Sequence, residues 1–177
     1  MSKYPHIAGV NYESMVDGVG MRATIFLSGC SHRCPGCQNY EAQSETFGTE
    51  ITDSVIDDIA SNIIKRPFLE GITLSGGDPL FCPERTMAFM DELLIRLHRQ
   101  KLTLWVYTGY LFEDVRRMTH HDQSLMRLLE MTDVMVDGRF EKSLADRTLL
   151  FRGSSNQRII DVKMSLLSNH VVLWSEA

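Results

Sequence analysis

Arg22-Ala23-Thr24-Ile25-Phe26-Leu27-Ser28-Gly29-Cys30-Ser31-His32-Arg33-Cys34-Pro35-Gly36-Cys37 joins an apolar run to a glycine and three cysteines. Arg22 to Ser28 reads as a buried strand, and the cysteine loop begins where that strand ends. The C-x3-C-x2-C spacing of Cys30, Cys34 and Cys37 brings three thiols into one short loop and leaves a fourth ligand position unfilled. Ordinary electron-transfer 4Fe-4S clusters are held by four thiolates. A group of three therefore suits a cluster with one iron open to a substrate or cofactor.

Other chemistries use short cysteine clusters. A disulfide framework belongs to small secreted chains, whereas this chain has 177 residues, 4 Cys and a polar opening, Met1-Ser2-Lys3-Tyr4-Pro5-His6, without a secretory leader. The expected compartment is the cytosol. A structural zinc site pairs two ligand hooks, and here the fourth ligand would have to be His32, Cys82 or His98. A thioredoxin-like pair, Cys34-Pro35-Gly36-Cys37, would leave Cys30 without a role.

Outward from the loop, the composition is that of an ordinary soluble domain, with 44% hydrophobic and 23% charged residues and no apolar run long enough to span a bilayer. One domain over residues 1–177 is expected, large enough to form a core without covalent staples. A net charge of -5 and the absence of a Lys/Arg block argue against a nucleic-acid surface.

Val55, Ile56, Ile59, Ala60, Ile63 and Ile64 recur at helical spacing after an N-cap at Thr52 or Asp53, with Pro67 beyond the end. Gly71 to Leu74 reads as a second strand, Pro83 to Gln100 as a long helix with Met87, Met90, Leu93, Leu94 and Leu97 on its apolar side, and Leu102 to Tyr107 as a third strand containing a core Trp105. Leu125 to Met131 reads as helix and Val134 to Val136 as a fourth strand. The alternation predicts βαβ units and an α/β fold with a mostly parallel sheet. In such sheets ligands collect beyond the carboxyl ends of the strands. The cysteine loop, Ser75-Gly76-Gly77-Asp78, Thr108-Gly109 and Asp137-Gly138 should then share one edge. Paired glycines at Gly76 and Gly77 allow close backbone approach to a ligand, to which Asp78 adds a carboxylate. The same Gly-Gly-Asp-Pro run is also what a plain turn before a helix looks like.

Together these residues resemble the radical S-adenosylmethionine superfamily, which carries a C-x3-C-x2-C loop after its first strand and a Gly-Gly-Glu-like turn after its second. Ser14-Met15-Val16-Asp17-Gly18-Val19-Gly20-Met21-Arg22 looks like the N-terminal signature of its glycyl-radical activating enzymes. Cys34-Pro35-Gly36-Cys37-Gln38-Asn39, Leu74 to Leu80, Trp105 to Tyr110, Val134 to Phe140 and Arg152 to Arg158 are similar to motifs of the activating proteins of anaerobic ribonucleoside-triphosphate reductase. The resemblance covers about Ser14 to Arg158; residues 161–177 form an unassigned C-terminal extension, with Val171 to Trp174 expected as a surface-packed segment, an added edge strand or a partner contact.

The resemblance implies an open, incomplete (β/α) barrel in which Cys30, Cys34 and Cys37 hold a 4Fe-4S cluster with one open iron. S-adenosylmethionine would chelate that iron, with Gly36, Cys37, Gln38, Gly76, Gly77 and Asp78 around it. It implies an oxidoreductase that breaks the sulfonium C–S bond with one electron, releasing methionine and a 5′-deoxyadenosyl radical. That radical takes a hydrogen from a glycine of the reductase catalytic subunit, with reduced flavodoxin as the usual electron donor, and no side chain need act as acid or base. The closest rival readings are activation of another glycyl-radical enzyme and a zinc-binding interaction module. Gly36 stands where most superfamily members have an aromatic residue, Gln38 where Tyr is frequent, and Asp78 where Glu is usual. Asp137 and Thr108 are implied near the cofactor or a bound cation, with a turn role as the alternative. Arg152, Asn156 and Arg158 are candidates for the partner's glycine loop or for the cofactor carboxylate. Cys82 is expected to be an inert thiol and His120-His121 a solvated pair.

Overall fold

The computed structural model describes residues 2–98 and 101–175. The chain runs through β1 (His6–Ser14), β2 (Arg22–Leu27), β3 (Thr49–Glu50), α1 (Asp53–Ile64), β4 (Gly71–Gly76), α2 (Pro83–Arg96), β5 (Thr103–Tyr107), α3 (Phe112–Met118), α4 (Gln123–Met131), β6 (Val134–Asp137), β7 (Arg158–Asp161) and α5 (Val162–Ser168). Its seven strands form one sheet in the order β3-β1-β2-β4-β5-β6-β7. β2, β4, β5 and β6 pair in parallel, while β1 runs antiparallel to both β2 and β3, and β7 antiparallel to β6. The sheet is mixed, with most strands pointing one way, and its edge strands β3 and β7 do not meet.

Sequence pattern accounts for the two faces. Residues alternate sides along a strand, and in-register pairing aligns Ala23 with Ile72, Ile25 with Leu74 and Ile72 with Leu104. These side chains form the main core with Ile56, Ile59 and Ile63 of α1, Met87, Met90 and Leu93 of α2, and Leu125 and Leu128 of α4. Each fully buried Ile contributes about 1.5–3 kcal/mol. The opposite face carries Arg22, Thr24 and Phe26 on β2, Thr73 and Ser75 on β4, and Trp105 and Tyr107 on β5. Its far end holds a smaller aromatic cluster of Trp105, Val134 and Val136 with Phe151, Ile159 and Trp174 against them.

The expected strands and helices are present, with shifts at their ends. α1 starts after Thr52, whose side chain accepts from Val55 N–H. α4 starts two residues early because Asp122 caps it through Leu125 N–H. The helix expected to reach Gln100 ends at Arg96; Leu97 and His98 form a turn in which His98 takes a left-handed φ of 50°, and Arg99 and Gln100 lie outside the described residues. The segment after α5 adds to the sheet edge: Asp161 N–H donates to Val172 O at 2.9 Å and Trp174 N–H to Ile159 O at 2.9 Å. That places Trp174 5.5 Å from Trp105, ring to ring, so this part of the extension is an edge addition that also closes one end of the inner face. No helix among the described residues is long and apolar enough to cross a membrane.

Candidate functional site

The cysteine loop follows β2, the Gly76-Gly77-Asp78 turn follows β4, Thr108-Gly109 follows β5 and Gly138 follows β6, so the parallel strands deliver all four segments to one edge. The root of the loop is tied down by backbone hydrogen bonds: Gly29 N–H to Ala42 O at 2.8 Å, Cys30 N–H to Gln43 O at 3.1 Å, and Asp78 N–H to Gly29 O at 2.8 Å. Further on, Cys37 N–H donates to Cys34 O at 3.1 Å, and Arg33 and Gly36 take positive φ of 50° and 76°. These kinks leave Arg33, Pro35, Gly36 and Gln38 exposed and the three cysteines half-buried.

All three thiols are free. Burial pushes the Cys30 thiol up from its ordinary range, against the N–H groups of His32 and Arg33 donated to its sulfur. A thiol in that position ionises on a metal, which deprotonates its thiol ligands. Three soft donors on one kinked loop fit an iron-sulfur cluster.

Asp78 does not face solvent. Its Oδ1 accepts from Leu80 N–H at 2.8 Å; its Oδ2 accepts from Thr108 Oγ1 at 2.9 Å and Gly109 N–H at 3.0 Å, and lies 2.7 Å from His32 Nε2. With Thr108 and Gly109 already donating to that oxygen, an N–H on Nε2 is the arrangement in which the imidazole completes its set of donors. The side chains of His32 and Asp78 are 4% and 1% exposed. The ligand atoms of Cys30, His32 and Asp78 lie within 4.8 Å of one another, but the direct His32–Asp78 hydrogen bond leaves no room for an ion between those two.

Beside the turn, an open cleft of about 360 Å³ is lined by Gly9, Phe26, Gln38, Tyr40, Phe47 and Gly76, among others. It therefore joins the segment after Cys37 to the inner face of the sheet. Of the residues singled out in the sequence, Gln38 and Gly76 line this cleft. Gly77 instead packs on the loop root, where an added Cβ would stand 2.5 Å from Gly29 O and 2.7 Å from Ala42 O, and exposed Gly36 faces the Lys142 side chain.

Most of the other candidates are engaged within the protein, although Arg152 Nε and Asn156 Oδ1 are buried without a hydrogen-bond partner among the described residues. Asp137, fully buried, accepts from Phe112 N–H and from two nitrogens of Arg158, whose remaining bonds go to Glu113. Arg152 donates to Gln157 O and Asn156 to Arg139 O, which folds the 152–158 loop onto the segment after β6. Thr108 belongs to the Asp78 network. Tyr107 donates its hydroxyl to Phe151 O at 2.8 Å, and burial pushes that phenol far above its usual range. Cys82 is half-buried at the N-cap of α2, and His120 and His121 are exposed.

Motif reading did not reach the roles of two residues. His32 sits inside the cysteine motif, but its partner is 46 positions away. Arg22, 1% exposed, donates to Thr73 Oγ1, Thr103 Oγ1 and the carbonyls of Val19, Ile72 and Thr103, with its guanidinium 5.4 Å from the Trp105 ring. Gly18 and Gly71 make the slot: a Cβ at Gly71 would meet the guanidinium at 2.4 Å, and one at Gly18 the Arg22 stem at 2.8 Å. The spacing of glycines before Arg22 was the only available signal.

The family model for the 4Fe-4S single cluster domain matches residues 16–160. Among curated proteins, the chain is similar to the anaerobic ribonucleoside-triphosphate reductase-activating proteins of several organisms. It is 36% identical to that of Escherichia coli K12 over 148 residues, covering 81% of this chain and 90% of the relative. It is 35% identical to that of Haemophilus influenzae over 156 residues, covering 85% and 94%, and 33% identical to that of Enterobacteria phage T4 over 144 residues, covering 81% and 86%.

Proposed function

The chain belongs to the 4Fe-4S single cluster domain family and, within it, to the anaerobic ribonucleoside-triphosphate reductase-activating proteins; from that premise we propose that it installs a glycyl radical on the catalytic subunit of an anaerobic ribonucleoside-triphosphate reductase. The observation that carries this reading is the placement of three free thiols on one loop at the carboxyl edge of the sheet, beside a cleft that opens onto the sheet's inner face.

Cys30, Cys34 and Cys37 are the ligands of a 4Fe-4S cluster in this reading, and the cleft is the site of S-adenosylmethionine. Its volume is within the range of small-molecule cofactor sites, about 300–1,000 Å³. Because the N–H groups of Gly77 and Asp78 already donate to Leu27 O and Gly29 O, the turn has carbonyl oxygens left for a ligand, which suits an amino group. Gln38 and Gly76 line the cleft, while Asp78 acts from behind the turn. When bound, the cluster and S-adenosylmethionine would supply a one-electron cleavage of the sulfonium C–S bond and hydrogen-atom abstraction from the target glycine. The chain's own residues bind, orient and exclude water. Phe26 and Phe47 give the cleft apolar walls, which keep water away from a reactive carbon.

The parallel strands in sequential order, with their helices on one face, support an open, incomplete (β/α) barrel formed by a single domain. Its unclosed side leaves a route for a loop of another protein. Reduced flavodoxin is the proposed electron donor, and the cytoplasm the proposed compartment.

The test is anaerobic. The full chain, reconstituted with iron and sulfide, is mixed with S-adenosylmethionine, reductant and the catalytic subunit, and frozen for EPR. A glycyl-radical doublet is expected with the wild-type chain and not with Cys30→Ala. A loaded cluster that gives no radical with a competent catalytic subunit would refute the assignment.

A further inference from the structure

We propose that His32 is a positioning residue: its hydrogen bond to Asp78 locks the cysteine loop against the Gly76-Gly77-Asp78 turn and so sets where the three thiolates stand relative to the cofactor cleft. This rests on the reading of Cys30, Cys34 and Cys37 as cluster ligands and of the cleft as the S-adenosylmethionine site. Three observations carry it. The imidazole is enclosed although its neighbours Ser31 and Arg33 are exposed, so the loop turns this one side chain inward. Its Nε2 meets Asp78 Oδ2 at 2.7 Å, an oxygen itself fixed by Thr108 and Gly109 at the end of β5. The ring has a shaped slot: Tyr110 stands edge-on at 4.5 Å, and a Cβ on Gly109 would lie 2.4 Å from the imidazole.

Among the described residues, the loop's other backbone hydrogen bonds to the rest of the chain are at its root, through Gly29 and Cys30. Without His32 the segment from Ser31 to Gly36 would have exposed residues and a single internal turn to define it. The strut therefore joins loop, turn and β5 exit into one rigid unit. Partners of this kind orient metal ligands without touching the metal. Asp78 has the same task from the other side, which explains why a carboxylate next to the glycine pair is buried and saturated rather than directed at the cleft.

The experiment uses the full chain, reconstituted anaerobically, as wild type, His32→Ala and His32→Gln. The readouts are iron and sulfide per chain, the EPR spectrum of the reduced cluster before and after adding S-adenosylmethionine, and the affinity for S-adenosylmethionine by equilibrium dialysis. His32→Ala keeps all three thiols and is expected to load iron, to bind S-adenosylmethionine about tenfold or more weakly, and to lose the spectral change that the cofactor induces. His32→Gln offers an amide N–H to Asp78 and is expected to recover most of both. Should His32→Ala fail to hold iron, His32→Gln decides: recovered loading and spectral response support the strut, and no recovery overturns it. A His32→Ala chain indistinguishable from wild type overturns the strut alone. A wild-type chain that takes up no iron overturns the cluster reading on which it rests.

Discussion

Replacing Arg22 by Met tests whether the buried guanidinium holds the floor of the inner face together. Burial lowers its pKa from 12.5 to about 10, a penalty on the charged form of about 3 kcal/mol at 1.36 kcal/mol per unit. Against this stand five hydrogen bonds from a charged donor, each contributing about 1.5–3 kcal/mol. The bonds win, so the cation stays. Truncation does not forfeit their full sum. Thr73 and Thr103 still donate their hydroxyls, to Asp17 O and Glu70 O, and Met keeps the stem packing near Trp105. What remains is three carbonyls deprived of a donor, and under-satisfied carbonyls are tolerated better than orphaned N–H groups. The expected loss is about 3 kcal/mol, read as a lower urea midpoint at unchanged slope for the metal-free protein followed by circular dichroism. Arg22→Lys should recover little, because an ammonium cannot address acceptors on Val19, Ile72 and Thr103 from one point. An Arg22→Met chain within about 1 kcal/mol of wild type would refute the reasoning and reduce the network to decoration.

Cys82→Ala should leave the iron content of the reconstituted protein unchanged while Cys30→Ala lowers it, since Cys82 sits at the start of α2 and the other three thiols share one loop; iron analysis after gel filtration checks this. Gly77→Ala places a Cβ against Gly29 O and Ala42 O, both backbone, and should cost about 1–3 kcal/mol in urea unfolding, because neither atom can move without shifting the loop root. Arg158 beside Glu113 holds that carboxyl below its ordinary 4.5. The resulting stabilisation is present above that value and lost as pH falls below it. Glu113→Gln should therefore flatten the acid limb of stability against pH and lower stability slightly at pH 7, the pair being largely solvated; urea midpoints at pH 7 and pH 4 measure both.

Much of the fold is legible in the chain because its central strands and helices obey simple periods. The apolar run before Gly29, the Ile pattern of α1 and the alternation of strand and helix place the cysteine loop, the glycine turn and Thr108-Gly109 on one edge. β1 escaped that reading. His6 to Ser14 includes Gly9 and breaks its pairing with β2 between Ile7 and Gly9 and again between Asn11 and Ser14, so the two-residue period is never sustained. β7 has four residues, and α3 buries only Phe112 and Val115, too few for a period to register. Polar networks were less legible still. A strand reading of Arg22 to Ser28 cannot show that its first side chain is a buried cation, because Thr73 and Thr103 become its partners only through the register of β4 and β5.

Gly76 and Gly77 carry the deeper lesson about the site. Read alone, paired glycines suggest room for a ligand. A Cβ on Gly76 would stand 2.5 Å from Leu27 O, and one on Gly77 2.5 Å from Gly29 O, so the same two residues are small because the turn lies directly on the end of β2 and the start of the cysteine loop. Only Gly76 also borders the cleft. The glycines bring turn and loop together from below, and His32 with Asp78 ties them from above. On the proposed reading, a site that holds an iron-bound cofactor in one orientation needs the metal-bearing and cofactor-bearing segments fixed relative to each other before either is filled. That requirement gives the smallness of the glycines, the burial of Asp78 and the inward turn of His32 a common physical cause.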